Sequence, residues 1–194
     1  MNLTGQETLP VTQAQAWAAL NDTEMLKASI TGCESLTAVG DNPAEPEYEA
    51  LVTVAIGPVK AKFKGKLKLS DLQAPSSYQL AFEGSGGAAG HGKGTAQVRL
   101  ESAAPDAAPT QLHYEVQASV GGKIAQIGSR LVDMAAQKMA ADFFAAFNAA
   151  LQAKYPAAPL ETAPPMAKPQ SAWQKFLDWY LGWLGRIFTS KGPL

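Results

Sequence analysis

EYEALVTVAIGPVKAKFKGKLKL, Glu47 to Leu69, moves its apolar residues from even to odd positions at one point, and that change decides the fold class. Tyr48, Ala50, Val52, Val54 and Ile56 share one parity; Val59, Ala61, Phe63, Leu67 and Leu69 share the other. A period of two marks a strand with one buried face. Gly57-Pro58 stands at the change of parity, where a tight hairpin turn is required. Pairing Ile56 with Val59 sets Val54 opposite Ala61 and Val52 opposite Phe63, so both apolar rows fall on one face.

The same period continues outward. Tyr78, Leu80 and Phe82 predict a further strand, Ala96, Val98 and Leu100 another, and Leu112, Tyr114, Val116, Ala118 and Val120 a last one. Together they predict an antiparallel meander with one buried face. Upstream, a short strand is predicted near Leu3 to Leu9, two short helices over Val11 to Leu26 interrupted at Asn21-Asp22-Thr23, and a strand from Glu34 to Val39. Downstream, Gly121-Gly122 opens one long helix over 123–153. Its apolar stripe is Ile124, Ile127, Leu131, Met134 and Ala135, followed by Phe143, Phe144, Phe147 and Leu151 on a stripe rotated around the axis.

GGAAGHGKGT, Gly86 to Thr95, approaches a phosphate-binding loop, but Gly94 stands where a Ser or Thr should meet magnesium. Its flanks are two alternating strands rather than a strand and a helix, so it is read as a glycine-rich connection or bulged strand. Other catalytic signals are weak. Cys33 has no histidine near it in sequence, no Gly-x-Ser-x-Gly elbow occurs, and His91 and His113 lack metal-ligand spacing. No catalytic or metal-binding residue is assigned, and the chain is expected not to be an enzyme.

With 194 residues, 46% of them hydrophobic, the chain can bury one sizeable core. Its single cysteine excludes an internal disulfide and fits a reducing compartment. MNLTGQETLP has neither the basic start nor the apolar run of a signal peptide, so a cytoplasmic protein is expected. The formal net charge of -1 gives no case for nucleic acid, but the charge is uneven. From Lys154 onward, Lys154, Lys168, Lys175, Arg186 and Lys191 face only Glu161 and Asp178, leaving that segment at +3 and the body at -4.

The expected organisation is a ligand-binding domain over 1–153, a Pro/Ala-rich linker over 154–170 and a tail over 171–194. In the tail, Trp173, Phe176, Leu177, Tyr180, Trp183, Leu184, Ile187 and Phe188 recur at three-and-four spacing. Such an aromatic amphipathic helix suits the headgroup boundary of a bilayer. Lys175, Asp178 and Arg186 argue against crossing it, so a peripheral position on the inner face of the cell membrane is expected. A second electrostatic element is the outward row Lys60, Lys62, Lys64, Lys66 and Lys68. The hairpin register gives Lys66 and Lys68 acids across from them, leaving Lys60, Lys62 and Lys64 as candidates for docking on an anionic lipid surface or an acidic partner, against the plainer reading of a solvated face.

Four stretches in order carry a family resemblance: NDTEMLKASITGCESL from Asn21, FKGKLKLSD from Phe63, GGAAGHGKGTAQVRL from Gly86 and GGKIAQIGSRLVDMAAQKMAADFF from Gly121. Over about residues 1–153 the chain resembles the carbon monoxide dehydrogenase CoxG family, within the START-like (SRPBCC) helix-grip superfamily. The resemblance implies an α+β fold in which a curved antiparallel sheet wraps a long C-terminal helix around an apolar cavity. It also implies association with a molybdenum hydroxylase of the carbon monoxide dehydrogenase type, recruitment to the membrane, and a bound isoprenoid quinone, menaquinone or ubiquinone.

Inward parity then nominates Val52, Val54, Phe63, Leu80 and Phe82 from the sheet, and Ile127, Leu131, Met134 and Met139 from the helix, as lining an apolar ligand. The expected function is a carrier linking that hydroxylase to the respiratory membrane; the alternative is a tethering or assembly factor that carries no ligand.

Overall fold

The computed structural model describes residues 1–104 and 106–156. Strand β1 (Asn2–Leu9) leads into helices α1 (Gln13–Leu20) and α2 (Thr23–Ser29). Six strands follow: β2 (Cys33–Val39), β3 (Glu47–Ile56), β4 (Val59–Gln73), β5 (Ser77–Ser85), β6 (His91–Glu101) and β7 (Thr110–Gly121). A 3₁₀ turn at Gly87–Ala89 separates β5 from β6, and helices α3 (Lys123–Gln126) and α4 (Ser129–Lys154) close the domain.

Side chains set the helix boundaries. Thr12 and Gln15 form a reciprocal capping box at the start of α1. The Asp22 carboxylate caps α2 by accepting from the Glu24 and Met25 amides, and it also meets Lys154 at 2.7 Å. That one carboxylate joins the first turn of α2 to the last turn of α4. Hydrogen bonding to Lys154, more than any other contact, holds the Asp22 carboxyl below the ordinary aspartate range. Asp22→Ala should therefore cost about 1 kcal/mol, the usual worth of an N-cap. Because the folded-state value is depressed, the wild-type advantage is present above about pH 4 and shrinks as pH falls through the folded value. Urea denaturation of both proteins at neutral and acid pH checks it; an equal gap at both would refute the linkage.

The seven strands form one sheet in the order β1-β7-β6-β5-β4-β3-β2, each pairing antiparallel. Ile56 pairs with Val59 and Val52 with Phe63, the register expected from the parity change. The glycine-rich stretch is strand and 3₁₀ turn, and Thr95 continues β6. One end of the inner face is closed. There Leu9, Val11, Leu20, Met25, Leu69, Tyr78, Val98, Leu100 and Leu112 meet Phe144, Phe147 and Leu151 of α4 in one cluster.

The C-terminal helix departs from expectation. It is two helices, because Gly128 takes φ +94° and ends the hydrogen-bond ladder of α3 before α4 begins. The break resets the helical phase, so the stripe begun by Ile124 and Ile127 does not continue through Leu131 and Met134. Val132, Phe144, Phe147 and Leu151 are the buried residues of α4. Leu131, Met134 and Met139 are 47%, 57% and 43% exposed, which corrects their assignment as lining residues. Ile127 is half-buried at the break itself.

Candidate functional site

At the end of the inner face away from the closed cluster, Val52, Val54, Phe63 and Phe82 are half-buried, while Leu80, also half-buried, packs against the closed cluster itself. The strand registers explain why this end stays open. Ala50 pairs with Gly65, Gly65 with Gly84, Gly84 with Gly92, and Gly92 with Val120. A row crossing five strands therefore has three adjacent positions with no side chain. Aromatic and aliphatic side chains stand on both sides of this bare strip: Val52 and Phe63 in one flanking row, Tyr48, Leu67 and Phe82 in the other. Two residues along a strand advance about 6.7 Å, so the flanking rows stand about 13 Å apart, and the strip runs about 19 Å across four strand spacings.

Glycine also positions the flanking rings. A Cβ on Gly86 would lie 2.6 Å from the Phe63 ring, and one on Gly94 would lie 2.7 Å from Phe82 Cζ. Each phenyl ring thus lies over a neighbouring glycine rather than standing upright in the strip. Adding a Cβ to Gly65, Gly84 or Gly92 would meet its nearest neighbours at 3.6 to 3.7 Å, an ordinary contact. Each of the three positions would therefore admit a Cβ at ordinary contact distance, without a backbone clash.

The face is almost free of charge. Of the inward strand residues, Glu7 is the only Asp, Glu, Lys, Arg or His. Burial pushes the Tyr48 and Tyr78 phenols up, and burial together with the Glu7 charge does the same for Tyr114, so all three are neutral at physiological pH. Tyr114 stacks on Phe144 with ring centroids 5.3 Å apart. Such a surface suits a flat apolar ligand with few polar atoms. Burial likewise raises the Cys33 thiol, which is half-buried and contacts the Ser35 carbonyl, so it is a poor nucleophile. Among the described residues no group of three or more His, Cys, Asp or Glu could hold a metal ion.

The outer face has opposite chemistry. Glu49, Lys66, Glu83 and Lys93 alternate in sign across β3, β4, β5 and β6 and line a shallow groove of about 820 Å³. The lysine row is also reduced: Lys62 meets Glu34 at 2.8 Å, and the Thr53 hydroxyl donates to the same carboxylate. Glu34 comes from β2, one strand beyond the hairpin partner, so strand-to-strand register alone left Lys62 unpaired. Lys60 and Lys64 have no ion pair among the described residues.

The strand residues nominated from the sequence lie on the inner face, and the glycine row between them was not nominated. The signal was present: Gly65, Gly84 and Gly92 occupy inward parity inside AKFKGKLKL, YQLAFEGS and HGKGTAQV, where an apolar residue is due. All eight tail residues nominated for membrane contact, from Trp173 to Phe188, lie outside the described residues.

The family model for the carbon monoxide dehydrogenase protein CoxG matches residues 5–152. No curated protein matches the chain. Among solved structures, a conserved protein from Geobacillus kaustophilus is 30% identical, with a TM-score of 0.71 over 79% of this chain and 97% of its own. A START superfamily protein from Mycobacterium smegmatis has a TM-score of 0.58 at 10% identity, covering 79% of this chain and 98% of its own. The Zhui aromatase/cyclase from Streptomyces sp. R1128 also scores 0.58 at 10% identity, covering 82% and 98%. These two share the helix-grip fold with this chain.

Proposed function

The chain belongs to the carbon monoxide dehydrogenase CoxG family, and from that membership and its glycine-floored cradle we propose that it is a non-catalytic carrier of an apolar, ring-bearing membrane molecule. An isoprenoid quinone has the required shape: a flat ring for the strip between Phe63 and Phe82, and an apolar chain that can follow the inner face. The observation that carries this reading is the run Gly65, Gly84 and Gly92 on an otherwise apolar face. Catalysis would need several convergent polar groups, and the inner strand face offers Glu7, three tyrosine hydroxyls, the half-buried Cys33 thiol and a Thr110 hydroxyl already donated to the Val11 carbonyl.

The carrier would serve a molybdenum hydroxylase of the carbon monoxide dehydrogenase type, as the family name suggests, at the inner face of the cell membrane. No helix among the described residues is long and apolar enough to cross a membrane. Attachment would fall to the amphipathic tail, with Lys60 and Lys64 favouring an anionic surface or acidic partner. The test is solvent extraction and mass spectrometry of the purified full chain, beside co-sedimentation with anionic vesicles of the full chain and of one ending at Pro169. Quinone in both forms with vesicle binding only in the full chain is expected. Vesicle binding with no extractable quinone would sink the carrier and leave a tether or assembly factor.

A further inference from the structure

The described residues include six exposed large apolar side chains, and three of them, Val120, Leu131 and Met134, fall where β7 passes into α3 and the first turns of α4. Leu131 and Met134 are not half-hidden members of the core stripe. At 100° per residue they sit roughly opposite Phe147 around α4. Their neighbours in the chain are basic: Lys123 and Arg130 are exposed, and Asp133 is the one acid between Gly121 and Lys138. Neither Lys123 nor Arg130 has an ion pair among the described residues. Val120 is also the β7 end of the glycine row, so this corner adjoins the open side of the cradle.

We propose that the corner formed by Val120, Leu131 and Met134, flanked by Lys123 and Arg130, is a lipid-docking face of the folded domain, separate from the tail, that seats the open end of the cradle on an anionic bilayer. Apolar side chains ringed by unpaired bases fit the headgroup boundary, where a base adds to attraction and a methionine or leucine enters the acyl edge. The location follows from the cargo. Moving an apolar molecule through water costs about 0.8 kcal/mol for each methylene exposed, so transfer requires the cradle mouth to touch lipid directly. The tail supplies residence at the membrane; this face supplies orientation. The inference rests on the carrier reading for its purpose, but the docking itself does not require a ligand.

The test uses the full chain with Met134→Cys in a Cys33→Ser background, carrying an environment-sensitive fluorophore at position 134, and a second protein labelled at Gln97→Cys on the outer sheet face. With phosphatidylglycerol-containing vesicles, the label at 134 should shift to the blue and brighten while the label at 97 stays in water. Replacing Lys123 and Arg130 with glutamine should weaken that response about fivefold per base. A label at 134 that remains in water while the protein co-sediments with vesicles overturns the proposal, and so does a blue shift before any vesicle is added. If the label responds but no quinone is extracted, the docking face stands and the carrier reading fails.

Discussion

Gly84→Leu should give a folded protein that has lost its ligand. Gly84 is the middle of the three bare positions, and a Cβ there meets Lys64 O at 3.7 Å, so the backbone admits a side chain without moving. The rest of the leucine must project into the strip between the Phe63 and Phe82 rows. A ligand sharing that space is displaced or over-packed by about 1 to 3 kcal/mol, so quinone recovered from the purified protein should fall about fivefold or more. Stability should hold or rise slightly, since glycine is costly inside a strand. At Gly94 the same change would strike the Gln117 carbonyl and the Phe82 ring, confusing filling with unfolding. Unchanged quinone content in a folded Gly84→Leu protein would remove the ligand from this strip.

Strand pairing was legible because it is local and periodic. Tyr48 to Leu69 carries two apolar parities and a Gly-Pro turn, and one hairpin register satisfies both. The helix was harder. Alanine at 135, 136, 140 and 141 lets several stripes look equally apolar, and a break of two residues at Ile127 and Gly128 rotates everything after it. Leu131 and Met134 were therefore assigned to the face opposite the one they occupy. The ion pair of Lys62 with Glu34 escaped for another reason: it needs the position of β2, which no hairpin rule fixes. The glycine floor is the instructive miss, because a glycine at inward parity weakens a strand pattern locally and becomes meaningful only when three strands align it.

Phe147→Ala should have the reverse effect, a large loss of stability with the ligand site intact. Phe147 is 0% exposed, stacks on Phe143 with centroids 5.4 Å apart, and lies within the cluster that includes Leu9, Leu112 and Leu151. Truncating such a phenyl group removes its transfer free energy and leaves a cavity that α4 and the sheet can only partly close, for about 3 to 5 kcal/mol. That is a large share of the roughly 5–15 kcal/mol typical of a domain, so the urea midpoint should drop sharply with an unchanged slope. Phe147 belongs to the closed end of the inner face, while the strip lies toward the Gly57-Pro58 hairpin tip, so the folded fraction should keep its quinone. Added quinone should then restore part of the stability lost in Phe147→Ala by mass action, whereas it should leave the stability of Gly84→Leu unchanged. If Phe147→Ala costs under about 1 kcal/mol, α4 is not the lid of this core. If it costs the expected amount but added quinone restores none of it, the strip does not hold cargo independently of the closed end.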